Sequence, residues 1–130
     1  MNVREAAERS GLPAKTVRYY DDIGLVVPDR RTNGYRDYDG DSVQKLAFLK
    51  RARQLGFSIE DCRQLLSLYE DKDRASADVK SLAESHLNEI DKRLQELKHL
   101  RDTLNHLVHA CRGDDRPDCP ILADLAKSQQ

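Results

Sequence analysis

The chain has 130 residues, of which 35% are charged and only 5% aromatic, and its formal net charge is −1. That length allows one compact domain, or a small domain followed by a long helix. The composition favours helices with solvated faces over a β-sandwich, and no run approaches the roughly 20 apolar residues of a membrane span.

Asn2 can cap a first helix, with Glu5 three residues later to reach back to it. Gly11 ends that helix, and Pro13 suits the first turn of a second one running to about Ile23 and closed by Gly24. A gap of about three residues between two short helices is the spacing of a helix-turn-helix. The run Leu25-Val26-Val27 is β-prone, Pro28 stops it, and Asn33-Gly34 is a hairpin turn signal. A two-stranded wing is expected here, with Arg30, Arg31 and Arg36 around its tip. Asp39 to Asp41 offers a cap for a helix to about Leu55, and Ser58 caps another that carries Ile59, Cys62, Leu65, Leu66 and Tyr69 at helical spacing.

From Ser76 to about Ala110 there is neither proline nor glycine. Leu87, Ile90, Leu94, Leu97, Leu104 and Val108 form a heptad-like stripe, widened by Leu100 and Leu107. A helix of that length is about 50 Å long, too long for the small globule to cover. The stripe predicts pairing with a second copy, as an antiparallel coiled coil in a homodimer. Beyond it, Cys111-Arg-Gly-Asp-Asp-Arg-Pro-Asp-Cys119-Pro120 makes a short loop before a closing helix that runs to about Ala126. The fold expected is therefore mainly α. Residues 1–70 form a winged-helix DNA-binding domain with its following helices (helix-turn-helix core 1–38), 76–110 a dimerisation helix, and 111–130 a metal-binding loop with a short terminal helix.

The charge is unevenly spread. Residues 1–56 carry 11 lysines and arginines against 8 acids, a net +3, and residues 57–130 carry 11 against 15, a net −4. The basic half can face phosphate. On the second helix, Lys15, Thr16, Arg18, Tyr19 and Tyr20 are candidates for the major groove, where arginine and lysine reach guanine edges and phosphates. On the wing, Arg30, Arg31, Arg36 and the Tyr35 hydroxyl are candidates for backbone phosphates beside it.

Cys62, Cys111 and Cys119 are an odd set, and the polar start Met-Asn-Val-Arg-Glu has no apolar targeting core. A reducing, cytoplasmic setting is expected, in which thiols stay free. Cys62 sits among apolar residues and reads as core. Cys111 and Cys119 can grip one soft ion. Two thiolates suit a monovalent d10 ion, Cu(I), Ag(I) or Au(I), whereas Zn(II) normally takes four ligands. Asp114, Asp115, Asp118, His106 and His109 keep a divalent site open. Two thiolates and a +1 ion leave a charge of −1, which the start of the closing helix can stabilise through its free N–H groups. If the long helices pair antiparallel about a stripe centred near residue 95, Ser76 of one chain approaches the partner's Cys111. A catalytic thiol would need a general base and a substrate pocket. The spacing is not Cys-x-x-Cys and no nucleotide fold surrounds it, so no enzyme is expected.

Thr16-Val-Arg-Tyr-Tyr20, Gly24-Leu25, Asn33-Gly-Tyr-Arg-Asp-Tyr38 and Ala52-Arg-Gln-Leu-Gly-Phe-Ser58 closely resemble the MerR family of bacterial regulators across the whole chain. Ser76-Ala-Asp-Val-Lys80 and the terminal Cys-x7-Cys-Pro loop are similar to its copper-efflux regulators of the CueR and HmrR type, although the wing is one residue shorter than in some of them. The resemblance implies a dimer on a palindromic operator in double-stranded promoter DNA. There, one Cu(I) (or Ag(I) or Au(I)) per loop makes the protein bend and undertwist the DNA for RNA polymerase. It also implies that serine at position 76 marks monovalent-metal sensors and cysteine marks divalent ones. The alternatives are a sensor of Zn, Cd, Pb or Hg, and a cytoplasmic metal buffer or chaperone that does not bind DNA.

Overall fold

A computed structural model describes residues 1–127. Its described residues form six helices and one small sheet: α1 (Val3–Ser10), α2 (Ala14–Asp22), β1 (Asp29–Arg30), β2 (Arg36–Asp37), α3 (Gly40–Gln54), α4 (Ile59–Glu70), α5 (Ser76–Ala110) and α6 (Pro120–Leu125). The chain divides into two compact units, Met1–Leu82 and the part from Ala83 onward.

In the first unit the helix ends follow the capping chemistry of the sequence. The Asn2 side chain accepts the Glu5 N–H at 2.9 Å while Glu5 reaches back to the Asn2 N–H at 3.4 Å, a complete capping box. Asp39 accepts the Ser42 N–H at 2.8 Å and Ser58 the Asp61 N–H at 3.1 Å, opening α3 and α4. Gly11 ends α1 at φ +78°, a conformation that favours glycine, and a side chain there would also meet the Lys50 ammonium. Pro13 stands one position earlier than expected. It is the extended residue just before α2.

The expected strand at Leu25-Val26-Val27 does not form. The N–H groups of Leu25 and Val26 both bind the Tyr20 carbonyl, at 2.8 and 3.2 Å, so this segment wraps the end of α2. Leu25 and Val26 are buried and Val27 is exposed. The wing begins only after Pro28, with Asp29 opposite Asp37 and Arg30 opposite Arg36 in an antiparallel pair. Its turn is closed by Gly34 N–H to Arg31 carbonyl (2.8 Å) and Arg31 N–H to Tyr35 carbonyl (2.9 Å). Gly34 alone takes positive φ here, and Asn33 instead accepts the Tyr35 N–H through its side chain, at 3.2 Å. This is the longer hairpin loop with glycine in the left-handed position, not a two-residue Asn-Gly turn.

The core of this unit is assembled from Ala6 and Ala7 of α1, Val17 and Tyr20 of α2, Tyr38 after the wing, Leu46 and Leu49 of α3, and Cys62 and Leu66 of α4, with Leu25 and Val26 between. Tyr69 lies nearer the surface, its ring 4.8 Å from that of Phe48.

Most of α5 belongs to the second unit, and the helix buries no residue. Its 35 residues make a rod about 52 Å long. Leu87, Ile90, Leu94, Leu97, Leu100, Leu104 and Val108 are between 37% and 62% exposed, so the whole stripe faces solvent in a single chain. No described helix is long and apolar enough to cross a membrane.

Candidate functional site

Two places collect the chemistry, one in each unit. In the first unit, α1, α2 and the wing surround a groove of about 530 Å3 lined by Asn2, Val3, Arg4, Arg18, Arg30, Arg31, Gly34, Tyr35 and Arg36. Five guanidinium groups therefore share one concave surface. Helical geometry sorts the candidates on α2. Lys15, Arg18 and Tyr19 are exposed and Thr16 is half-buried, whereas Val17 and Tyr20 turn inward. Tyr20 is only 3% exposed and belongs to the core, which withdraws its ring from the surface where the sequence placed it. Burial pushes its phenol upward, opposed by the nearby Arg53 charge. Tyr35 stands out from the wing, 71% exposed.

The wing arginines are held by α2. The Arg36 Nε donates to Asp21 Oδ2 at 2.6 Å, and an Arg30 Nη donates to the same oxygen at 3.0 Å. The other Arg30 Nη donates to the Gly34 carbonyl at 3.4 Å, and Arg36 also pairs with Asp22 at 3.5 Å. The Asp21 hydrogen bond raises Arg36 further above its ordinary value. Arg31 pairs with Asp37 at 3.6 Å. The Met1 ammonium, 2.8 Å from Asp37, is the main cause that holds this carboxyl below the usual range, with Arg31 adding to it.

Three of these features lie outside what the sequence suggests. Arg4 joins the groove from α1. Asp21 binds both strands of the wing. Arg63, on α4, donates to the carbonyls of Ile23 and Gly24 at 2.9 and 3.4 Å and so covers the end of α2. Local patterning gives no sign of the last two, because each joins residues 9 to 40 positions apart. Arg4 could have been found, since it sits on the first turn of a short capped helix beside the helix-turn-helix.

In the second unit, Cys111 extends the last turn of α5, its N–H bound to Leu107 and Val108 carbonyls at 3.1 and 3.3 Å. Gly113 turns the chain at φ +65°, and Cys119 stands immediately before α6, with Pro120 as its first residue. The two sulfurs are 3.8 Å apart and both residues are half-buried. With metal–sulfur bonds of about 2.3 Å, one ion can span such a pair. The Cys119 side chain makes no hydrogen bond of ordinary cap geometry to α6, yet the Leu122 amide is close enough to lower the thiol below its ordinary value, with smaller help from Cys111 and the Ile121 amide. A thiol so placed gives up its proton to a metal more readily.

The other loop donors are not gathered around the sulfurs. Asp114 accepts the Arg116 N–H at 2.9 Å, and the His109 Nδ1 is 2.8 Å from the Asn105 carbonyl. Among the described residues, no three His, Cys, Asp or Glu side chains come together as a metal-binding group. Cys62 is fully buried and its thiol is raised by burial. Ser76 is the first residue of α5 and is exposed.

The chain matches the family models described as MerR HTH family regulatory protein, over residues 1–68, and MerR, DNA binding, over residues 43–107. It is 66% identical over 126 residues to the HTH-type transcriptional regulator HmrR of Rhizobium leguminosarum bv. viciae, covering 97% of this chain and 98% of that one. It is 42% identical over 127 residues to the HTH-type transcriptional regulator CueR of Salmonella typhimurium, covering 97% and 92%. Among solved structures, a transcription regulator from Ralstonia metallidurans CH34 in complex with lead(II) superposes with a TM-score of 0.85 at 29% identity, covering 97% of this chain and 99% of that one.

Proposed function

The chain belongs to the MerR family of helix-turn-helix transcription regulators, and from that premise we propose that it activates copper-efflux or copper-resistance genes when its C-terminal loop takes up Cu(I), with Ag(I) and Au(I) as equivalents. It is a metal-responsive regulator and not an enzyme. In this proposal residues 1–70 hold the promoter, 76–110 pair two copies, and 111–130 sense the metal in the cytoplasm.

The number of thiols on this short loop, and not the 3.8 Å between them, carries the copper assignment. They are two soft donors with no third donor beside them among the described residues, a set that suits a two-coordinate monovalent ion better than a tetrahedral divalent one. The loop's likeness to copper-efflux regulators and the identity to CueR support the same choice.

Lys15, Thr16, Arg18 and Tyr19 face the major groove of a palindromic operator, and Arg30, Arg31, Tyr35 and Arg36 meet the phosphates beside it. Cys111 and Cys119 hold the ion, which supplies differential affinity for two protein shapes. Bending and undertwisting the promoter costs on the order of a few kcal/mol, within what a tight soft-metal site supplies. RNA polymerase then meets promoter elements brought into register.

The second reading is a sensor of a divalent ion such as lead or zinc, which the lead(II) complex of the structural neighbour favours. Titration of the reduced protein with Cu(I) and Zn(II) against competing chelators, followed by promoter transcription, separates the two. Cu(I) is expected to drive transcription and Zn(II) not to; the reverse result rejects copper. Cys111→Ser and Cys119→Ser are each expected to abolish the metal response while DNA affinity stays within about two-fold (a change under about 0.4 kcal/mol). Loss of DNA binding in both would mean that the loop is not a separate sensor.

A further inference from the structure

We propose that Asp21 is a positioning residue for DNA binding, which locks the wing to the recognition helix and so presents the arginines of both as one surface. The inference rests on the DNA-binding reading and goes beyond it. A carboxylate inside a phosphate-binding groove is costly on its face, because it repels the ligand and neutralises the cations beside it. Asp21 nevertheless binds two of the arginines that line this groove, from the last turn of α2, with its side chain only 6% exposed.

Its hydrogen bonds explain the placement. One oxygen takes Arg36 Nε at 2.6 Å and Arg30 Nη at 3.0 Å. These two arginines are directly opposite each other in the sheet, one on each strand. Arg30 continues to the Gly34 carbonyl in the turn, at 3.4 Å. Helix, both strands and turn are thus tied through a single carboxylate. The wing needs such a tie, since its strands are two residues long and a two-stranded ribbon is marginal by itself. The bonds leave guanidinium N–H groups on Arg30 and Arg36 for phosphate while fixing where they point.

The test uses the full chain and a duplex that the wild-type protein selects from a random pool. Binding is measured over a range of salt concentrations for wild type, Asp21→Asn, Asp21→Glu and Asp29→Asn. Asp29 is the control, an exposed carboxylate on β1 that pairs with neither Arg30 nor Arg36. Circular dichroism and thermal melting of each variant show that it is folded at the temperature of the assay. A positioning role predicts that Asp21→Asn binds five-fold or more weakly, and that log K falls less steeply with log salt, by about 0.9 for each phosphate that the variant no longer neutralises. Asp21→Glu should recover most of the affinity and Asp29→Asn should stay within two-fold of wild type. A folded Asp21→Asn protein that binds more tightly with a steeper salt slope would overturn the proposal, since Asp21 would then be a competing anion. Unchanged affinity and slope would overturn it as well. Wild-type protein that selects no duplex would sink the DNA-binding reading itself.

Discussion

Cys119 shows how far backbone amides prepare a thiol of the proposed metal site. Its thiol is lowered chiefly by the Leu122 amide, so the α6 backbone and the neighbouring sulfur do the work that a histidine or lysine does elsewhere. The selectivity expected at position 76 is of another kind, because it depends on a second copy of the chain. In the proposed antiparallel pair, Ser76→Cys adds a third sulfur near the partner's Cys111. The variant is expected to respond to Zn(II) in promoter transcription, and metal titration giving an unaltered Zn(II) to Cu(I) preference would reject the pairing register. Among single residues, those governed by local chemistry are legible in the sequence. Asn2 with Glu5, and Ser58 with Asp61, form the caps that their spacing requires. Tyr20 departs from expectation because Tyr19 and Tyr20 are chemically alike and differ only by about 100° of helix, enough to expose one and bury the other. Asp21 is not legible because its partners come from across a turn whose register the sequence does not state.

At the scale of elements, α2 is the most constrained piece of the first unit. Its last turn carries Asp21, its end is wrapped by Leu25 and Val26, and the Ile23 and Gly24 carbonyls just past that end are bound by Arg63 from α4. A cation at a helix C-terminus also meets the negative end of the helix dipole. Arg63→Met keeps most of the stem and removes these bonds, and is expected to lower stability by about 1 kcal/mol, read as a shift in the urea midpoint. Arg63→Lys should recover less than half, because an ammonium cannot span two carbonyls in a fixed fork. A midpoint unchanged in Arg63→Met would mean that water serves those carbonyls equally well. The same region holds the main departure from the sequence pattern. Leu25-Val26-Val27 has the composition of a strand, but the Leu25 and Val26 amides are taken by the Tyr20 carbonyl instead of a partner strand. Propensity reports which side chains suit a pleated surface, and here tertiary packing uses them as core instead.

At the scale of the whole molecule, the long helix is the feature a lone chain leaves unfinished. Its start and end agree with the sequence because nothing between Ser76 and Ala110 breaks a helix, and its stripe is half exposed along its length. If a second copy covers the stripe, folding is coupled to association, and the melting temperature should rise with protein concentration. Leu97→Glu, in the middle of the stripe, should shift sedimentation toward the monomer and remove that concentration dependence; a variant that sediments as wild type would place the interface elsewhere. The three cysteines also divide by depth. Cys62 is sealed within the core of the first unit while the loop pair is reachable. An alkylating dye applied to the native protein should therefore mark two sites per chain and reach a third only in denaturant. On the proposed reading the regulator would carry its own occupancy gauge, because an effector held by the loop would shield the two thiols that the reagent can reach.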